Sequence, residues 1–237
     1  MNNTLSDVCN NDDSTNNYPR WSFIDAVWWK TFGGSDYITK YKDGYVAFHK
    51  DRIKSIAKDN NIPAILLALV ARTEAGGMPD NFKYPVLLSR QINYMGNNWL
   101  DDKIGVLPRP EKTSMGIIAM QIRVVAEIFN KDPVSLSNTE MIYISNCLHK
   151  DNFNLSMVAH HLRDLIKYDY PNQDPLHMSD EQIIVLGSRY NRGTQRSLED
   201  FIHSIYANEG APEREWSSYG RSLIRHKSRV AKILGSK

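Results

Sequence analysis

The feature that most constrains the fold is an apolar run from Ile62 to Gly77, which reads IPAILLALVARTEAGG. Pro63 suits the first turn of a helix, where its missing N–H would have no intrahelical partner. The residues that follow are apolar nearly all round a helix, and this pattern predicts burial in a core rather than at a surface. The run is too short to cross a bilayer. Gly76 and Gly77 predict the end of the helix.

Glu74 lies at the end of this predicted helix. A carboxyl group that a buried helix carries to a Gly-Gly break is partly removed from water. Desolvation favours the protonated form, which a general acid needs. The alternative is a glutamate at a helix end that points into solvent. Glu74 is therefore the first candidate for a catalytic residue.

Composition and charge exclude few classes of function. The 237 residues carry a formal net charge of only +2, so the overall charge gives no general argument for nucleic-acid binding. Basic residues are concentrated from Arg214 to Lys237, which indicates either an ordinary solvated helix or attraction to an anionic polymer. Neither CxxC nor HExxH is present, and neither is a Walker loop or GxGxxG, so no metal or other cofactor is predicted.

The N-terminal segment, residues 1–20, is rich in Asn, Asp and Ser and is predicted to be a disordered leader. It lacks the apolar run of a secretory signal peptide, and no segment reaches transmembrane length. We therefore expect synthesis in the cytoplasm and export, if any, by an unconventional route. Cys9 and Cys147 are the only cysteines; a disulfide between them is possible, but nothing in the sequence requires it.

Helical periodicity fills most of the chain and predicts an all-α fold, with one domain at 21–237. An aromatic helix is expected over 21–32, either packed in the core or stacked on sugar rings. Residues 36–44 and 96–112 read as loops. Ser114 is predicted to cap a helix over 115–129. A further helix is expected over 216–234.

Short motifs then follow one another in a recognisable order. They are Glu74 after an apolar helix, the segment with Ser114, Gly116 and Gln121, Asn154 opening a helix, and the turn with Tyr190, Asn191 and Gly193. This order resembles the lysozyme-like superfamily, most closely the soluble lytic transglycosylases and bacterial muramidases. The chain departs from the family pattern in having Ala75 after the glutamate and a segment before Gln121 that is one residue shorter.

The resemblance implies a lysozyme-like helical fold and cleavage of peptidoglycan between N-acetylmuramic acid and N-acetylglucosamine, without a cofactor. Glu74 would protonate the leaving oxygen and then act as a base on the muramic acid hydroxyl. Tyr190 and Asn191 would orient the sugar or steady the developing charge. Ser114 and Gln121 would bind acetamido groups or the glutamate.

A second carboxylate would permit attack by water instead, and the candidates are Asp36, Asp101 and Asp102. The resemblance further suggests an antibacterial effector of a type VI secretion system or a phage lysin. Such a protein would act in the periplasm or on the cell wall, with an immunity protein and a secretion carrier as possible partners and no nucleic acid.

Two alternatives stay open at this point. One is a hydrolase of the same superfamily that acts on chitin or chitosan. The other is a non-enzymatic module that binds nucleic acid or protein through Arg221, Arg225 and Arg229.

Overall fold

The computed structural model describes residues 4–10, 16–28, 31–32, 34–76, 85, 87–91 and 109–235. Helices fill most of these residues, and the prediction of an all-α fold is confirmed. The helices are α1 (Leu5–Asn10), α2 (Phe23–Trp28), α3 (Gly34–Phe48), α4 (Lys50–Asp59), α5 (Ala64–Glu74), α6 (Ile122–Ile128), α7 (Asn138–Leu148), α8 (Asp151–Asp169), α9 (Asp180–Arg192), α10 (Leu198–Tyr206), α11 (Ser218–Arg225) and α12 (Lys227–Leu234). Residues 87–91 are also helical. Short 3₁₀ helices cover Pro110–Lys112, Pro133–Ser135 and Pro212–Ser217.

The chain divides into two compact units. The first unit comprises Met1–Lys42 and Glu74–Met157, and the second comprises Asp43–Thr73 and Val158–Lys237. The sequence alone suggested one domain over 21–237, and these domain limits stay a prediction. Among the described residues, no helix has both the length and the apolar character that crossing a bilayer demands.

Helix α5 is buried, as its apolar composition predicts. Every residue from 66 to 72 is buried, and Arg72 pairs there with Asp43 at 2.6 Å. The carbonyl oxygen of Pro63 accepts the N–H groups of Leu66 and Leu67, so the proline stands at the start of the helix. Glu74 is the last residue of α5.

The predicted helix over 115–129 is wrong in its first half. Ser114–Met115 and Met120–Gln121 form two short antiparallel strands, β1 and β2, and α6 begins only at Ile122. Ser114 is therefore a strand residue and not a helix cap. The physical reason is Gly116, which adopts φ +78° in the turn between the strands, a conformation that interrupts a right-handed helix.

The N-terminal segment differs from the expected disordered leader in its described part. Residues 5–10 form α1, and Cys9 is joined to Cys147 by a disulfide. Further along, the side chain of Arg20 pairs with the buried carboxylate of Asp151 at 2.7 Å, and the N–H of Tyr18 donates to the same carboxylate at 2.7 Å. The segment is thus attached to α7 and α8 within the first unit.

Two other predicted segments need correction. Residues 36–44, predicted to be a loop, lie in α3. The aromatic helix begins at Phe23 and not at Trp21: α2 covers Phe23–Trp28, and residues 31–32 are helical as well. Of its described apolar side chains, Ile24 and Val27 are exposed and do not belong to the core. Trp21 is buried, but Trp28 and Phe32 are exposed, the latter by 77%.

The predicted C-terminal helix over 216–234 is two helices. His226, with φ −103° and ψ 0°, separates α11 from α12. Its N–H donates to the carbonyl of Leu223, three residues back instead of four, at 3.0 Å. This tighter turn interrupts the helix while Leu223, Val230 and Leu234 all stay buried.

Candidate active site

Glu74 stands where a buried helix meets a left-handed turn. It is half-buried, and Ala75 after it is fully buried. Gly76 has φ +78°, a backbone conformation that strains any residue with a side chain, and a β-carbon there would make a tight contact of 3.2 Å with the Tyr41 ring. The arrangement holds the Glu74 backbone in place and removes part of the residue from water, as a general acid requires.

The structure brings Ser114 and Gln121 together. They are directly opposite each other in the hairpin of β1 and β2, and both are half-buried. Opposite residues of an antiparallel pair share one face, so both side chains lie on one side of the hairpin. Met115 and Met120 form the other pair and are buried on the opposite side. The Gln121 side-chain oxygen also accepts from Arg123 Nε at 2.6 Å.

The hairpin turn is held by Asn154, which is fully buried. Its Oδ1 accepts from the N–H of Ile118 at 2.9 Å, and its Nδ2 donates to the Ile118 carbonyl at 3.0 Å. A β-carbon on Gly116 would lie 2.8 Å from Asn154 Oδ1 and would also collide with the Leu148 carbonyl. Asn154 is therefore a positioning residue for the hairpin that carries Ser114 and Gln121.

This role of Asn154 was not predicted from the sequence. The sequence suggested only that Asn154 opens a helix, whereas the structure has it one turn inside α8. An available signal was the pattern Phe153-Asn154-Leu155, a polar side chain between apolar neighbours in a helical segment. Buried polar side chains are almost always hydrogen-bonded, so such a residue points to a partner elsewhere in the chain.

Tyr190 and Asn191 belong to the second unit, whereas Glu74, Ser114 and Gln121 belong to the first. Tyr190 is half-buried, with its ring centroid 5.8 Å from that of His161 and 6.3 Å from that of Tyr219. Asn191 follows it in the last turn of α9 and is exposed. The two aromatic contacts hold the Tyr190 ring in place.

The end of α9 rests on a buried ion pair. Arg189 and Asp169 form two N–O contacts of 2.8 Å, and their side chains are only 1% and 2% exposed. The Arg189 guanidinium also lies 4.8 Å from the centroid of the Phe201 ring and donates to the Arg196 carbonyl at 2.5 Å. Gly193 ends the helix with φ +82°. The buried Arg189 and its contacts therefore hold the turn after Asn191 in place.

The structure describes one of the three candidates for a second carboxylate, Asp36. Asp36 is exposed and lies in the first turn of α3, not in a loop as predicted. Asp101 and Asp102 lie outside the described residues. In the part of the chain that the structure describes, no group of three or more His, Cys, Asp or Glu residues could hold a metal ion.

The basic C-terminal arginines are partly engaged within the second unit. Arg221 donates to Ser217 Oγ at 3.1 Å, and Arg229 pairs with Asp43 at 2.9 Å. Arg225 is exposed. Two of the three side chains assigned to nucleic-acid binding in the alternative hypothesis thus make contacts within the chain.

Comparison with protein-family models, with curated proteins and with solved structures found no match.

Proposed function

We propose that this protein cleaves the glycan strands of peptidoglycan between N-acetylmuramic acid and N-acetylglucosamine, with Glu74 as the general acid and base. One observation carries the proposal. Glu74 is half-buried at the end of the buried helix α5. The compact unit to which Glu74 belongs also contains the Ser114–Gln121 hairpin, which Asn154 holds. The motif order that resembles lytic transglycosylases adds support.

The chemistry needs a carboxyl group that is protonated when the substrate binds. In this proposal Glu74 supplies that proton from its half-buried position at the end of α5. Glu74 would give its proton to the glycosidic oxygen as the bond to the muramic acid carbon breaks. The resulting carboxylate would then take the proton of the muramic acid 6-hydroxyl as that oxygen closes onto the same carbon. The product is a 1,6-anhydro ring, and Glu74 is protonated again.

The other predicted residues have distinct roles in this proposal. Ser114 and Gln121 share one face of the hairpin, and their hydroxyl and amide groups suit hydrogen bonds to the acetamido groups of the sugar. Tyr190 offers a ring face for the apolar face of a pyranose, and the exposed Asn191 offers an amide.

The expected site of action is the periplasm or the cell wall, and delivery would use a type VI secretion system or release as a phage lysin. The disulfide between Cys9 and Cys147 supports this, because disulfides persist in oxidising compartments and are rare in the cytosol. An immunity protein and a secretion carrier are the proposed protein partners.

The alternative binding function depends on Arg221, Arg225 and Arg229. Two of these side chains already make contacts within the chain, at Ser217 and at Asp43, so they are less available to a phosphate backbone. A half-buried glutamate at a helix end has no role in that alternative. We therefore favour the enzymatic proposal.

The test is digestion of purified peptidoglycan sacculi followed by mass spectrometry of the fragments. The wild type should release fragments with 1,6-anhydromuramic ends, and Glu74→Gln should release none. Asp51→Asn is the matched control, because it removes the same charge from an exposed acid in the first turn of α4 and should leave cleavage unchanged.

Other products discriminate between mechanisms. Fragments with reducing ends would mean hydrolysis, and Asp36→Asn would then test whether that residue is the second carboxylate. Absence of fragments from correctly folded wild type would refute the proposed function. Equal cleavage by wild type and Glu74→Gln would refute the role of Glu74.

A further inference from the structure

A cationic depression lies at the end of α9, directly after Asn191. Arg192, Gln195 and Arg196 line this depression, which has a volume of about 550 Å³. Arg192 is exposed and Arg196 is half-buried. The ion pairs formed among the described residues do not involve either arginine. Two guanidinium groups therefore line an open depression, and neither forms an ion pair with a carboxylate of the described residues.

Both guanidinium groups are oriented by their surroundings. The Arg196 guanidinium carbon lies 3.7 Å from the centroid of the Trp216 ring, a stacked position that leaves the N–H groups at its edge available. Arg192 Nη2 donates to the Glu215 carbonyl at 2.7 Å, which leaves its other donors available. Preorganised donors lose less conformational entropy on binding than free side chains do.

The backbone beneath these side chains is also fixed. The buried Arg189 donates to the Arg196 carbonyl at 2.5 Å, and the N–H of Gly193 donates to the Arg189 carbonyl at 2.7 Å. Arg189 is itself held by Asp169. The turn that carries Gln195 and Arg196 is thus tied to the most buried ion pair of the second unit, and the depression has a defined lining.

The charge balance favours an anion. The C-terminus of α9 contributes a partial negative charge of about 0.5, which the two guanidinium charges outweigh. A guanidinium presents paired N–H groups in a plane, and this geometry matches the two oxygens of a carboxylate. Gln195 adds an amide that can donate to the same group.

We propose that Arg192 and Arg196 bind a carboxylate and that, given the proposed function, it belongs to the peptide stem of peptidoglycan. Asn191, assigned to the sugar, directly precedes Arg192 in the chain. A ligand with its sugar at Asn191 and its stem in the depression would account for both. Stem peptides carry free carboxylates, whereas chitin carries none, so this site would select peptidoglycan.

The test is isothermal titration calorimetry on the full-length protein with a monomeric muramyl peptide that has free stem carboxylates. This probe has no glycosidic bond between sugars, so wild type can be used without turnover. Arg192→Gln and Arg196→Gln should each weaken binding about tenfold, as expected for loss of a charge-assisted hydrogen bond. The same probe with its carboxylates amidated should bind wild type as weakly as the free acid binds the variants.

Arg225→Gln is the matched control, because it removes one exposed charge of the same kind elsewhere in the second unit. It should bind both probes as wild type does. The proposal is overturned if wild type binds the free and amidated probes equally, or if Arg225→Gln has the same effect as the other variants. It is also overturned if the variants lose only binding to a single-stranded oligonucleotide, which would mean a phosphate site.

The sacculus digest separates this proposal from the proposed function. Carboxylate-dependent binding that needs Arg192 and Arg196, with no cleavage of sacculi, would support this site and overturn the enzymatic proposal. Cleavage that needs Glu74, with no effect of either arginine on the muramyl peptide, would overturn this site alone.

Discussion

The buried side chain of Asn154 allows a quantitative prediction for the hairpin. Asn154→Ala removes the acceptor for the Ile118 N–H and the donor to the Ile118 carbonyl, at 2.9 Å and 3.0 Å. Ile118 is fully buried, so both of its backbone groups would lose their partner away from water. An orphaned buried polar group costs about 1–3 kcal/mol, which gives a destabilisation of about 2–6 kcal/mol. This is a large part of the total stability of an ordinary domain.

The assay is urea unfolding followed by circular dichroism, with the free energy of unfolding extrapolated to water. Asn152→Ala is the control, because it makes the same substitution two residues earlier on α8 at a half-buried position. Substitutions away from buried networks usually change stability by less than about 0.5 kcal/mol. A loss for Asn154→Ala no larger than that for Asn152→Ala would refute the assigned role.

Asn154→Asp gives a second, independent test. The aspartate keeps an acceptor for the Ile118 N–H but replaces the donating amide with an oxygen that faces the Ile118 carbonyl. The ionised variant should therefore be less stable than wild type. Protonation at acidic pH restores a donor, so the deficit relative to wild type should shrink as the pH falls. A deficit independent of pH would contradict this geometry.

Three further predictions concern other parts of the chain. Replacing both Cys9 and Cys147 by serine opens a link between residues 138 positions apart, and the entropy that the unfolded chain regains predicts a destabilisation of about 5 kcal/mol. A reductant should lower the urea midpoint of wild type but not of this variant. Asp169→Asn leaves the Arg189 charge buried without its counterion and should cost about 3–5 kcal/mol by the same assay; a loss below about 1 kcal/mol would contradict the buried pair. Hydrogen bonds from Lys131 and from Ser137, which caps α7, lower the pKa of Glu140 to about 2. The stability that this carboxylate contributes should therefore be complete above pH 4.5 and lost as the pH falls towards 2. An NMR titration of the Glu140 carboxyl should report the lowered pKa, and Glu140→Gln should remove this part of the pH dependence.

Local patterns were sufficient for the elements whose residues interact mainly with near neighbours. Helix α10 is an example: it begins at Leu198, directly after Ser197, which caps it in a reciprocal capping box with Asp200. The burial of α5 also followed from its composition, since a helix that is apolar all round has no face to present to water.

Distant contacts hold two of the elements that the sequence mispredicted. Residues 115–129 have the apolar spacing of a helix, yet residues 114–121 form a hairpin. Its turn contains the left-handed Gly116 and is held by a hydrogen bond from the Ile118 N–H to Asn154, 36 residues away. The ordered N-terminal segment likewise depends on Cys147 and Asp151, more than 130 residues later. Periodicity in a short window contains no information about such partners.

The candidate site divides in the same way. The position of Glu74 at the end of a buried helix could be predicted from the sequence, because the apolar run before it is a local pattern. Tertiary structure alone made Ser114 and Gln121 opposite residues of one hairpin and gave Asn154 its positioning role. It also oriented Arg196 over Trp216, 20 residues further along the chain. Hydrogen bonds and ring contacts between distant residues depend on how the backbone is folded, which a local pattern does not specify.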